Sequence, residues 1–165
     1  MKEKKTVVIG DTHGRSFWKL ILETERPDRI VFVGDYFDTH DDISAAEQIY
    51  NFKEIIRYKQ LYPGIEFILL FGNHDFHYIS AQDWGQYSGF QSAFSHDIME
   101  TIKSNMSHLQ MAYLLNNKFL ITHAGVTNTF VEQNLQEVPD GVNIDVVQYL
   151  NDLFKFKPES FIFYG

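Results

Sequence analysis

Residues Ile68–Asp75 read ILLFGNHD, an apolar run that halts at Gly72 and turns polar at Asn73, His74 and Asp75. A short hydrophobic run bounded by glycine reads as a buried strand. The same break recurs in VVIGDTHG at Val7–Gly14, VFVGDYFD at Val31–Asp38 and FLITHAG at Phe119–Gly125. Four strands thus end on side chains able to hold a metal ion or a proton.

The segments between them set the topology. Ser16–Glu25 carries a helical pattern with Phe17, Trp18, Leu20 and Ile21 on its apolar side, and Pro27 ends it. Ile43–Leu61 is a longer helix with Ile49, Phe52, Ile55 and Ile56 on one face, closed by Pro63-Gly64. Asp41-Asp42 is expected to cap it, because carboxylates favour the positive end of a helix. Strand, helix, strand, helix, strand implies parallel pairing through right-handed crossovers, an α/β fold. His77–Gly89 is aromatic and irregular and is read as a loop over a site. Trp84, Tyr87 and the following Phe90 are expected to pack the loop rather than to form a substrate-stacking wall, with a lid as the alternative. Ser92–Ser104 is expected to be helical, and Asn116-Asn117 to be a hairpin turn between Gln110–Leu115 and Lys118–Thr122. Two further helices are expected at Thr127–Gln136 and Ile144–Phe154.

Composition narrows the chemistry. The chain has 165 residues, enough for one domain with its own core. It has no cysteine, which removes disulfides, thiolate catalysis and Cys-based zinc sites. No apolar stretch is long enough to span a bilayer, and MKEKKTVVIG is too short for a signal peptide. The expectation is a soluble, cytoplasmic protein without a membrane partner. The net charge is −8, from 14 Lys and Arg against 22 Asp and Glu. Such a chain is poorly suited to nucleic acid, which needs clustered cations. If it handles phosphate, bound metal ions must supply the positive charge.

In parallel α/β sheets the strand C-termini share one edge, where ligands gather. Asp11, Asp35 and Asn73 should therefore meet, and His123 joins them from the same sheet or a second one. Asp11 and His13 lie two apart, so in an extended segment both face one side. Oxygen and nitrogen donors without sulfur suit Mn, Fe, Zn or Mg. Five ligands are more than one ion needs, and two ions sharing Asp35 is the economical arrangement. Two ions about 3.5–4 Å apart clamp a phosphate and lower the pKa of a bridging water, whose hydroxide attacks phosphorus. His74 would protonate the leaving oxygen. Asp38 would orient His74 and keep it protonated.

DTHG, GDYFD, GNHD and THAG, in that order, resemble the calcineurin-like metallophosphoesterases. The similarity is greatest to the branch of the serine/threonine protein phosphatases and their bacterial and phage relatives. The resemblance implies two mixed β-sheets in a sandwich flanked by helices, with a dinuclear centre at one edge and one domain across residues 1–165. It implies Asp11 and His13 on the first metal, Asp35 bridging, Asn73 and His123 on the second, and His74 as proton donor paired with Asp38. Mn or Fe, sometimes Zn, would be the metals.

Two departures from the family pattern stand out. Asp38 is followed by Thr39-His40, where the phosphatase branch has the Arg that clamps the substrate phosphate. Arg15 or His40 would take that part. No histidine follows His123, where the family has a further ligand, and the chain ends in the apolar run Phe161–Tyr164 before Gly165. The expectation is a chain shortened at its C-terminus, with a dinuclear metallophosphoesterase as the leading reading. A third reading is a fragment that as given binds one metal and is inactive while its longer parent is active. The substrate would be a phosphoprotein, a nucleotide such as a diadenosine polyphosphate, or a small phosphomonoester. The alternative is a binding module on the same fold that has lost catalysis. His77, His96 and His108 are expected to be ordinary surface or core residues.

Overall fold

The structure is a computed structural model that describes residues 4–80, 89–134, 144–157 and 161. The chain divides into two compact units, Met1–Leu109 and Gln110–Gly165.

In the first unit, β1 (Thr6–Ile9), β2 (Arg29–Phe32) and β3 (Glu66–Leu70) pair in parallel. The two-residue β4 (Leu109–Gln110) completes the sheet order β1-β2-β3-β4. The expected strands are all present. Ile30, Val31 and Phe32 are fully buried, as the continuous apolar run requires for a strand covered on both faces.

Two helices make the crossovers. In α1 (Phe17–Glu25) Trp18 is fully buried, with Ile21 and Leu22 partly covered on the same side. Phe17 and Leu20, expected on the apolar side, are exposed. The helix turns its inward face on the i, i+3, i+4 row from Trp18, because the indole both fills the core and donates Nε1–H to Asn51 Oδ1 at 3.0 Å. The ring stands edge-on to Phe32 and Tyr58. α1 ends at Arg26 in the left-handed conformation, just before Pro27.

α2 (Ala45–Leu61) begins with a capping box: the Ser44 hydroxyl accepts from the Glu47 amide, and Glu47 reaches back to the Ser44 amide. The cap is therefore Ser44 and not the Asp41-Asp42 pair. Asp41 is drawn away by Arg15, whose Nε lies 2.6 Å from its carboxylate. Gln48, Asn51, Phe52, Ile55 and Ile56 form the buried stripe of α2. Phe52 meets Tyr36 and Phe37 of the turn after β2.

After β3 comes a one-turn helix, α3 (Asn73–His77). The expected loop thus starts later than His77, and Trp84 and Tyr87 lie outside the described residues. Ser92–Ser104 is helical as expected, a 3-10 turn (Ser92–Phe94) leading into α4 (Ser95–Ser104).

The second unit holds the hairpin of β5 (Ala112–Leu115) and β6 (Phe119–Thr122), which pair antiparallel. Asn116 and Asn117 both sit at positive φ, 54° and 53°, the conformation asparagine tolerates best among non-glycine residues. α5 (Asn128–Asn134) and α6 (Ile144–Phe156) follow. Asn151 of α6 grips the first strand: its Oδ1 accepts the Met111 and Ala112 amides, and its Nδ2 donates to the Ala112 carbonyl. Phe161 packs on Phe130 and Phe154.

A parallel sheet, an antiparallel sheet and flanking helices make a mixed α/β architecture, as expected. No helix among the described residues is long and apolar enough to cross a membrane.

Candidate metal centre

The parallel register places Ile9, Phe32 and Leu69 level with one another, so three chain segments leave the sheet at one edge. The turns after β1 and β2 are bonded together there. The amides of Thr12 and His13 donate to the Asp35 carbonyl at 3.1 and 2.9 Å, and the Gly14 amide donates to the Tyr36 carbonyl at 2.8 Å. This brings Asp11 and Asp35 within reach of one another: each offers a carboxylate oxygen within 4.8 Å of the other's. Asp11 is exposed and Asp35 is buried, so one acid stands at the mouth and one on the floor.

Asp75 holds the floor in place. Its buried carboxylate accepts the amides of Asp35 (2.9 Å), Tyr36 (2.8 Å) and Gly72 (3.0 Å), tying the turn after β2 to the end of β3. These bonds offset a strained backbone. His13, Asp35 and Asp38 all have positive φ, at 44°, 54° and 65°. Each such residue costs on the order of 1–3 kcal/mol and persists only where its surroundings fix it. Gly72 is required for a different reason, close approach. A Cβ there would lie 2.1 Å from Asp35 Oδ1 and 2.3 Å from the Asp35 amide nitrogen. The aromatic residues between the two acids of GDYFD point the other way. Tyr36 and Phe37 are fully buried, and the Tyr36 hydroxyl donates to the Leu70 carbonyl.

The imidazoles are oriented by their second nitrogens. His13 Nδ1 contacts the Phe37 carbonyl, which can only accept, so Nδ1 carries the proton and Nε2 keeps a lone pair. His74 Nδ1 lies 3.0 Å from Asp38 Oδ2, and the His74 amide donates to Asp35 Oδ1 at 2.9 Å. The bond to Asp38 raises the His74 pKa above its usual value, and the Asp35 charge adds to this against the opposing effect of burial. The other Asp38 oxygen accepts the Tyr78 hydroxyl, and the Asp38 amide donates to Gln48 Oε1 at 2.8 Å. Burial and the Asp38 bond push the Tyr78 pKa far up, so the phenol stays a donor. His77 is buried nearby, its ring 5.6 Å from that of His74, and burial lowers its pKa to about 4.

The structure thus brings together Asp11, His13, Asp35, Asp38, Asn73 and His74 at one edge of the first unit. Asn73 opens α3 beside His74. His123 directly follows β6 in the second unit. Arg15 is paired with Asp41, whose pKa the guanidinium lowers, and His40 is exposed. The donors gathered at the edge are carboxylate oxygens, an amide side chain and an imidazole with a free lone pair, a set that fits hard to borderline divalent ions.

Sequence reasoning passed over Asp75, Tyr78 and Gln48. Asp75 had a signal, an acid three residues after a glycine at a helix start, which is the capping pattern. Gln48 had one too, a polar residue on the apolar stripe of α2. Tyr78 had none.

The calcineurin-like phosphoesterase family model matches residues 4–162. No curated protein and no solved structure matches the chain. The family is typically dependent on two metal ions. A match over nearly the whole length, with acids and histidines gathered at one sheet edge, places this chain in the calcineurin-like phosphoesterase family.

Proposed function

We propose that the chain hydrolyses a phosphate ester or anhydride, in the manner of the serine/threonine phosphatase branch with its bacterial and phage relatives. Asp11, His13, Asp35, Asn73 and His123 would hold two divalent ions, Mn, Fe or Zn, with Asp35 shared. When bound, such ions neutralise phosphate charge and make water nucleophilic at neutral pH. The chain's own part is to orient and to move a proton. His74 donates from Nε2 to the leaving oxygen, while Asp38 holds its Nδ1 and stabilises the imidazolium. Tyr78 and Gln48 fix Asp38 from its far side and from its backbone. Arg15 and His40 stand for the missing clamp on the substrate phosphate; one guanidinium edge engages Asp41, and the other donors serve the substrate. The substrate is a phosphoprotein, a nucleotide or a small phosphomonoester.

The observation that carries this reading is the His74–Asp38 pair at 3.0 Å, on the residue whose amide also binds the Asp35 carboxylate. A site that only held metal would have no use for a proton donor anchored there. Hydrolysis of a chromogenic phosphate ester by the Mn-loaded chain, abolished in Asp35→Asn, is the expected result. A fully metal-loaded chain without turnover would replace this reading with a binding module on the same fold.

A further inference from the structure

His77 is the one buried imidazole beside the site that the proposed chemistry leaves unused. It lies three residues after His74 on α3, so both rings rise from one side of the turn. One ligand atom from each of Asp38, His74 and His77 lies within 4.8 Å of the other two. Asp38 and His77 are buried, and His74 is the partly exposed member through which an ion would enter. Asp38 Oδ2 and His74 Nδ1 are 3.0 Å apart, near the ~3.3 Å that separates two donors on a tetrahedral ion with bonds of about 2.0–2.1 Å. Two imidazoles and one carboxylate, with a fourth position open, is an established zinc donor set. Nitrogen donors also favour Zn over Mn.

We propose that Asp38, His74 and His77 form a further metal site, separate from the acids Asp11 and Asp35, which takes Zn2+ and switches hydrolysis off. The switching part rests on the reading of His74 as proton donor. An ion bound at Nδ1 displaces the proton shared with Asp38 to solvent. The coordinated imidazole is then neutral and gives up its Nε2 proton far less readily than an imidazolium. An ion bound at Nε2 masks the donor itself. Either way the leaving oxygen departs unprotonated, and the reaction slows.

The test adds Zn2+ to the Mn-loaded full chain, then measures both metals by elemental analysis and the hydrolysis of a chromogenic phosphate ester. The wild-type chain should keep its Mn, take up one further equivalent of Zn and lose activity. His77→Gln and His77→Ala should lose that equivalent and need at least about tenfold more Zn for the same inhibition. With Co2+ in place of Zn2+, the Mn-loaded wild-type chain should develop the intense visible absorption of a tetrahedral site, an arm that does not depend on any variant folding. Zn that enters only by displacing Mn, variants that bind Zn as the wild type does, or no tetrahedral Co2+ spectrum would each overturn the site. A chain with no turnover before Zn is added would refute the proposed function alone, since the uptake and Co2+ arms still decide the site.

Discussion

Asp75→Asn changes one atom and should cost the first unit much of its stability. The carboxylate receives three amides: Tyr36 on Oδ1, and Asp35 and Gly72 on Oδ2. Asparagine has a single oxygen, which is best placed where Oδ2 stood and so retains two of the three bonds. Its NH2 group then faces the Tyr36 amide, donor against donor. A hydrogen bond to a charged acceptor contributes about 1.5–3 kcal/mol, and a buried donor left unsatisfied costs a similar amount. The two surviving bonds lose their charge assistance, roughly half their strength. The sum is about 4–9 kcal/mol, comparable to the whole 5–15 kcal/mol typical of a folded domain. The assay is urea unfolding of both chains at neutral pH, followed by circular dichroism and by tryptophan fluorescence, for which Trp18 lies in the core of the same unit. The midpoint should fall with little change in slope, and bound metal should fall with it, because Asp75 also positions the Asp35 turn. A loss below about 1 kcal/mol, within the range of an ordinary exposed hydrogen bond, would refute the role given to Asp75.

Gly72→Ala should be still more damaging to metal binding, since the new Cβ meets Asp35 Oδ1 at 2.1 Å and backbone at 2.3 Å; a chain that keeps full metal content and its melting temperature would contradict the close approach. Trp18→Phe keeps an aromatic ring in the core but underfills it and removes the bond to Asn51, a loss of at least about 1–3 kcal/mol readable as a shifted unfolding midpoint. The pH dependence follows from His74. Unfolded histidine titrates near 6.5, and the bond to Asp38 raises the folded value. The protonated pair therefore stabilises the fold fully below about pH 6.5, and that contribution is lost as pH climbs through the folded value. Hydrolysis that needs protonated His74 should decline on the same alkaline limb, and Asp38→Asn should move that limb toward acid; a limb unmoved in Asp38→Asn would break the link between the two residues.

Much of this was legible in the order of residues along the chain. Apolar runs that stop at Asp11, Asp35 and Asn73 require strands that end there, and helices of crossover length require those strands to run parallel. Parallel strands put their ends at one edge, so the convergence of acids and imidazoles was predictable from spacing. The hairpin at Asn116-Asn117 was legible for a local reason, because asparagine tolerates the left-handed backbone that the turn demands. The face of α1 was not. A nine-residue helix with Phe17, Trp18, Leu20 and Ile21 offers two competing apolar sides, and only the partner waiting at Asn51 decides that Trp18 turns inward.

The start of α2 shows the same limit. Asp41-Asp42 and Ser44 are both good caps by type, and Arg15, distant in sequence, settles the matter by taking Asp41. What the sequence determined by itself was therefore whatever depends on period, chain length and local backbone preference: the α/β class, the strand ends and the residues gathered there. Tertiary structure decided which polar groups hold those residues still. Asp75 beneath Asp35, and Tyr78 and Gln48 around Asp38, are assigned by hydrogen bonds across up to 40 residues of chain. Such bonds depend on where buried donors and acceptors come to rest in space, and no local pattern encodes that.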